Sequence, residues 1–366
     1  MLRGNVLREK ICSVLQIMRL FAAAVFFAVM PASCGKKDGL TIVNWNVQTF
    51  FDAVTDGHEY SEFITNKKWN REMYTERLKK LCSVIKQCDA DIFVMQELEN
   101  NAQLFDVFNF LAGEWNSSKV YRWSCFAKTP GTSIGCGVLS RVPLSDLKVH
   151  GLDVRTAGKQ PGLRPLIEVT VSDSEKEFVL FVNHWKSKSG GAVQSEPWRN
   201  REESVLAEKM SAAAAKGKRI IACGDFNRDI NDFYMEENGA QKMESGVQKM
   251  ESGVQKMESG AQKNTVRLRF LSRIGSSSGS FSDSFFKVVS PWFKDGVLVE
   301  PGSYFFRGEW SRIDNFFTDE KTHVKKFEPL VCGSWCYAET HIPRKFTLHN
   351  GSGWSDHLPV KLTVEW

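Results

Sequence analysis

The chain lacks an apolar run long enough to cross a bilayer. Its most apolar stretch, residues 20–30, is about half the ~20 residues that a spanning helix needs. Zinc-ligand spacing is missing too: no set of His and Cys carries it, so the nine cysteines read as mostly buried thiols or disulfide partners. Charge of one sign is scarce, since 48 Lys and Arg against 43 Asp and Glu leave a net of only +5. That excess is compatible with a polyanionic substrate and too small to identify a nucleic-acid binder. What is present is core material. Hydrophobic residues make up 42% and charged residues 25%, the balance of a soluble globular protein. Eleven Trp and 26 Phe suggest a β-heavy core, and 366 residues suffice for one large domain or two ordinary ones.

Residues 1–34 do not read as part of the fold. Arg19 precedes the apolar run, and Pro31-Ala32-Ser33-Cys34-Gly35 follows it, the order of regions in a secretory signal. Met18 would start a more compact signal than Met1. The small residues before Cys34 resemble a bacterial lipoprotein processing site, although Pro31 stands where Leu is usual; simple cleavage leaving Cys34 inert is the alternative. The expectation is an extracytoplasmic protein, secreted or anchored to a bacterial membrane through a lipid on Cys34. Residues 35–39 would be a tether and residues 40–366 one domain. In an oxidising compartment Cys332 with Cys336, or Cys82 with Cys88, are candidate disulfide pairs.

From residue 40 onward, short β-like runs alternate with amphipathic helices. Strands are predicted at 40–47, 91–95, 137–139, 165–171, 177–184, 219–223, 312–318 and 358–365. Helix 71–87 places Leu78, Leu81, Val84 and Ile85 at helical spacing, and a second helix runs through Leu104, Val107, Phe108 and Leu111. A third is predicted over 195–215, with Ser195 as N-cap and Pro197 in the first turn. Hairpin-like neighbours mixed with helices predict an α/β (α+β) fold, a four-layer sandwich of two packed, mainly antiparallel β-sheets flanked by helices. One segment stands apart. A seven-residue unit at 239–245 recurs at 246–252 and 253–259, with Val247, Met250, Val254 and Met257 imitating a coiled-coil seam. Each unit also carries Gly and Ser, so residues 239–263 read as a tandem-duplicated, low-complexity surface insertion.

Six of the predicted strands end in residues that phosphate or metal chemistry uses: Asn46, Gln96-Glu97, Asn183-His184, Asp225-Phe226-Asn227, Asp314 and Asp356-His357. A lone Asp or Asn at a strand end is usually a turn or cap. Six together are hard to explain that way. In order along the chain, Asn46, Gln96-Glu97, Gly224-Asp225-Phe226-Asn227, Ile313-Asp314 and Ser355-Asp356-His357 resemble the motifs of the endonuclease/exonuclease/phosphatase superfamily. Asn46-Val47-Gln48-Thr49-Phe50-Phe51-Asp52, Glu97-Leu98-Glu99-Asn100 and the stretch from Asn183 to Gly191 are similar to bacterial secreted, nuclease-like members. The resemblance implies a divalent-metal-dependent phosphodiester hydrolase.

Such chemistry needs an in-line water, neutralisation of phosphoryl charge and help for the leaving group. Glu97 suits Mg²⁺ or Mn²⁺, with Asn46 in the metal shell or on the phosphate and Asp356 completing the shell. His357 beside Asp314 reads as an acid–base or phosphate-binding unit. Asp225 would orient or deprotonate the water, Asn227 would donate to a phosphoryl oxygen, and His184 would donate to phosphate or protonate the leaving oxygen. Arg164 reads as a phosphate clamp or a support for the carboxylates. Lys186, Lys188, Arg199 and Arg201 would contact a polyanion or form a solvated face. His58, His150, His323, His341 and His349 match no motif. Nucleic acid is the expected substrate. The runner-up is a phospholipid phosphodiesterase touching a membrane through Trp292-Phe293 or Trp335 near Tyr337, and a third reading is a non-catalytic binding lipoprotein on the same scaffold. Fold alone does not choose among them.

Overall fold

A computed structural model describes residues 39–66, 68–116, 119–152, 161–173, 175–233, 265–270, 284–294 and 297–366. The expected signal sequence, Cys34, most of the tether and the repeat insertion lie outside the described residues. Two mixed sheets form the body. The first runs in the order β16 (Val324–Pro329), β17 (Val360–Val364), β1 (Leu40–Phe50), β2 (Ile92–Leu98), β4 (Gly135–Ser140) and β3 (Trp123–Ala127). The second runs β5 (Leu144–His150), β6 (Leu166–Ser172), β7 (Glu177–His184), β8 (Ile220–Asp225), β15 (Asp314–Thr318), β10 (Ser284–Val289) and β9 (Thr265–Phe270). Two hairpins, β11 (Phe293–Lys294) with β12 (Val297–Leu298) and β13 (Tyr304–Phe306) with β14 (Glu309–Ser311), occupy the region before β15.

Each sheet is antiparallel except for one pair at its centre: β1 beside β2 in the first, and β7 beside β8 in the second. A parallel pair needs a crossover. The first has α1 (Ser61–Thr65) and α2 (Arg71–Cys88), and the second has the long α4 (Ala192–Ala215). Helix α2 starts where the Asn70 side chain accepts the Met73 amide and stops at Asp89 in the left-handed conformation. α3 (Asn101–Glu114) opens on a reciprocal capping box between Asn100 and Gln103. α2 and α3 pack Leu81, Val84, Ile85, Leu104 and Val107 against Val43, Trp45, Phe93 and Met95 of the first sheet. Helix α4 covers the second sheet, with Leu206, Ala207 and Met210 buried beside Ile221 and Phe316. Between the sheets lie Ile42, Val94, Val138 and Leu362 on one side and Val169, Leu180 and Val182 on the other. The layers are therefore helix, sheet, sheet, helix, within the unit Gly39–Trp366.

Several local expectations are corrected. Helix α4 begins at Ala192 after Gly191, not at Ser195, whose hydroxyl instead donates back to the Gly191 carbonyl at 2.7 Å; Pro197 therefore lies beyond the first turn. None of the seven cysteines from Cys82 onward is bridged, so neither candidate disulfide is present. Trp292 is fully buried and its indole N–H donates to the Asp314 carbonyl at 3.0 Å, while Trp335 is buried and donates to Leu330. These two rings are core, not a membrane-touching loop.

Candidate active site

Strand pairing gathers the polar strand ends. Asn46 and Gln96 are partners across β1 and β2; on the other sheet His184 pairs with Asp225, and Asp225 with Asp314, across three neighbouring strands. Two distortions aim these residues. Against β4, Gln96 faces Cys136 and Leu98 faces Gly135, so Glu97 is the extra residue of a bulge, with φ of 69°. Gly224 has φ of 148°, and a Cβ there would lie 2.0 Å from the Asn183 carbonyl oxygen. Only glycine allows β7 and β8 to approach so closely just before His184 and Asp225.

The result is an open cleft of about 1150 Å³. Asn46, Glu97, His184, Asp225, Asn227, Asp356 and His357 all line it. Asp314 sits directly behind His357, whose Nδ1 donates to Asp314 Oδ2 at 2.7 Å. The Asn46 amide nitrogen bridges Glu97 Oε1 at 3.1 Å and Asp225 Oδ2 at 3.0 Å, and its oxygen accepts the Gln48 amide. Glu97 Oε2 accepts the Thr49 amide. Asp225 Oδ1 accepts the Asn227 amide, and Asn227, with φ of 48°, donates its side-chain N–H to the Trp185 carbonyl.

The two histidines are driven in opposite directions. Burial disfavours charge on His357, but Asp314 in contact and Asp225 and Asp356 beyond it outweigh burial and hold its pKa up at about 10. His357 is thus an imidazolium that keeps Nε2–H available to the cleft. His184 is pushed well below its ordinary value, first by burial and then by Arg164. The Arg164 guanidinium lies 2.6 Å from His184 Nε2. A guanidinium only donates, so this Nε2 accepts and carries no proton. The expected role of His184 as proton donor to the leaving oxygen does not fit that arrangement. Burial, then Asp314, raises the pKa of Asp225, which favours proton acceptance there.

Arg164 and Lys186 are not brought to the cleft surface. Arg164 supports His184 and the Trp185 carbonyl from behind. The Lys186 ammonium bonds within its own loop, to the Ser187 and Ser189 carbonyls. Arg199 is buried and holds the start of α4 through Ala192, Ser195 and Glu196. Lys188 is the member of that basic group lining the cleft. Tyr60, Gln48, Thr49, Tyr304, Phe306, Arg307, Lys345 and Phe346 also line it. Gln48 and Thr49 lie inside the stretch from Asn46 to Asp52 that the resemblance covers; Tyr304 and Phe306 come from the short strand β13 and the others from connecting segments with no pattern that could have revealed them.

The donor set suits a hard divalent cation. Glu97, Asp225 and Asp356 bring carboxylate oxygens to the cleft, and behind His357 the Asp314 Oδ1 is buried with no hydrogen-bond partner among the described residues. Oxygen donors of this kind fit Mg²⁺ or Mn²⁺. Atoms of Asp225, Asp314 and His357 also lie within 4.8 Å of one another, but His357 as an imidazolium has no lone pair to give a cation. A second trio, Asp56, Glu59 and Glu99, is occupied with loop amides: Glu59 accepts from Asp56 and Gly57, and Glu99 from Asp52.

Behind the cleft, Glu202 accepts the Lys186 amide at 2.7 Å, and burial pushes its pKa up to about 8 against the pull of that amide, Arg164 and Arg199. Unfolded, it would titrate near 4.3. Between those values the unfolded chain holds fewer protons than the folded one, so stability falls as pH rises and levels off above about 8. Glu202→Gln is expected to flatten this dependence, by up to about 1.4 kcal/mol per pH unit. Denaturant unfolding at pH 5, 6.5 and 8 checks it, and an unchanged slope would contradict the assignment.

Residues 41–261 match the profile described as Endonuclease/Exonuclease/phosphatase family. No curated protein sequence matches the chain. Among solved structures, truncated Caenorhabditis elegans TDP2 is similar at a TM-score of 0.51 and 13% identity, covering 90% of this chain and 98% of that one. The human Nocturnin catalytic domain with bound sulfate is similar at 0.50 and 16%, covering 90% and 94%. The Bacteroides thetaiotaomicron mannosyl-6-phosphatase is similar at 0.50 and 15%, covering 89% and 100%. At such identities these structures share the fold and nothing finer. With the profile matched over more than half of its length, the chain belongs to the endonuclease/exonuclease/phosphatase family, and so to the metal-dependent phosphoesterases.

Proposed function

We propose that this protein is a Mg²⁺- or Mn²⁺-dependent nuclease that works outside the cytoplasm, secreted or held to a bacterial membrane by a lipid on Cys34. The observation that carries the hydrolytic reading is the meeting of Asn46 and Glu97, with His357 just ahead of β17, from one sheet with His184, Asp225 and Asp314 from the other around one cleft. Glu97, with Asp356 and Asn46 beside it, would hold the cation, which supplies charge neutralisation at the phosphoryl oxygens. Asp225 accepts the proton of the attacking water, and Asn227 orients the phosphate. His357 donates from Nε2 to a phosphoryl or leaving oxygen, its charge maintained by Asp314. His184, kept neutral by burial and then by Arg164, accepts at Nε2 rather than donating.

A polyanionic substrate is favoured by the cleft itself. Lys188, Arg307 and Lys345 line its walls, Lys345 beside Asp356, and would meet the phosphates of such a substrate. Of the residues the phospholipid reading named, Trp292 and Trp335 are core and Tyr337 is exposed. The test uses protein beginning at Cys34, with that residue replaced by Ser, on plasmid DNA, RNA, sphingomyelin and a sugar phosphomonoester. Each is run with Mg²⁺, Mn²⁺ or chelator, beside His357→Ala. Metal-dependent cleavage of nucleic acid, reduced about 10²–10⁴-fold by His357→Ala, is the expected result. Turnover of only the lipid or the monoester would replace the substrate, and silence on all four would favour the binding scaffold. Labelling of full-length protein with a radioactive fatty acid, lost in Cys34→Ser, tests the anchor.

A further inference from the structure

Arg77 on α2 belongs to no sequence motif and does not line the cleft, yet it touches the site through a single turn. Its guanidinium donates to three successive backbone carbonyls, those of Val47 at 3.1 Å, Gln48, and Thr49 at 2.7 Å. The Phe346 ring lies 3.5 Å from its Cζ and the Phe50 ring 5.2 Å. Gln48 and Thr49 have φ of 52° and 43°, two left-handed residues in succession without a glycine. Single left-handed residues of this type are uncommon, and the conformation persists only where surroundings enforce it.

The turn has two faces. Its carbonyls converge on Arg77. Its amides point the other way: the Gln48 N–H donates to Asn46 Oδ1 at 2.9 Å and the Thr49 N–H to Glu97 Oε2 at 2.5 Å. The Gln48 side chain then ties the turn to the cleft wall, donating to the Phe346 carbonyl at 3.1 Å and accepting the Phe346 amide at 2.9 Å. A planar, five-donor fork can satisfy three carbonyls at once; an ammonium on a flexible stem cannot hold the same plane.

We propose that Arg77 is a positioning residue for the divalent-cation site: by clamping the three carbonyls it keeps Gln48 and Thr49 left-handed and so aims two backbone amides at Asn46 and Glu97. The inference rests on the reading that Glu97 holds the cation, and the two can fail separately. Mn²⁺ binding to the full chain is measured by electron paramagnetic resonance for wild type, Arg77→Lys, Arg77→Met and Glu97→Gln. Amide hydrogen exchange is followed in the metal-free proteins. Arg77→Met is expected to weaken Mn²⁺ binding at least tenfold and to speed Thr49 amide exchange at least tenfold, leaving the central strands β7 and β8 protected. Arg77→Lys should fall between it and wild type. Activity lost in either variant should return at saturating Mn²⁺, which a general loss of structure would not allow. If Arg77→Met does not fold, Arg77→Lys carries the test alone. Mn²⁺ affinity within twofold of wild type in a folded Arg77 variant, with Glu97→Gln impaired, would overturn the positioning role and leave the metal reading intact. Unchanged Mn²⁺ affinity in Glu97→Gln would overturn both.

Discussion

Glu97→Gln is expected to lower kcat/KM for phosphodiester hydrolysis by about a thousandfold while leaving the metal-free fold intact. Glu97 occupies the bulge of β2, where its φ of 69° turns the side chain into the cleft. Both oxygens accept hydrogen bonds, from the Asn46 side chain and the Thr49 amide. Glutamine keeps the size and one acceptor but removes the negative charge, the property a divalent cation requires of its ligand. Secondary structure should be unchanged by far-ultraviolet circular dichroism, since the residue is part-exposed and carries no core packing. Stability without metal should hold or rise slightly, because one carboxylate leaves a crowd that includes Asp225. More than a tenth of wild-type activity surviving in Mg²⁺ would remove Glu97 from the centre.

Gly224→Ala should be strongly destabilising. The added Cβ would meet the Asn183 carbonyl oxygen at 2.0 Å and its carbon at 2.7 Å, both backbone atoms that cannot rotate away. The φ of 148° adds strain for any residue with a side chain. Relief requires β7 and β8 to separate where His184 pairs with Asp225. A loss of about 3 kcal/mol or more in denaturant unfolding is expected. Activity should fall in the same variant at temperatures where it remains folded, since the parting strands carry two site residues. A stability within 1 kcal/mol of wild type would show that the strands are not packed so closely.

The alternation of apolar runs and polar strand ends made much of this legible without coordinates. Strands and helices recur with period, so the sandwich, helix α2 and most central strands were readable to within a few residues. The bulge at Glu97 and the start of α4 were not, because a bulge depends on what the neighbouring strand offers and a helix start on what satisfies its first amides. Edge and short strands such as β3, β5, β13 and β16 were also missed. They are too short, or too exposed, to show a hydrophobic period. Among the site residues, Asn46, Glu97, Asp225, Asn227, Asp356 and His357 stood out in sequence and line one cleft. Lys186 and Arg199 stood out as well, as positive charges near His184, yet their side chains satisfy their own loop and helix.

By itself, then, the sequence determined which residue types sit at the ends of which apolar strands, and hence the chemical class to which the chain belongs. Tertiary structure alone decided how those ends meet. Packing of the two sheets placed Asn46 against Asp225, and burial beside different neighbours made His357 a cation and His184 a neutral acceptor. Arg77 and Arg164 acquired their hydrogen bonds from chain segments 20 to 30 residues away, and Arg77 its ring contact from Phe346, far along the chain. Protonation and positioning depend on distance and desolvation, and a linear sequence records neither.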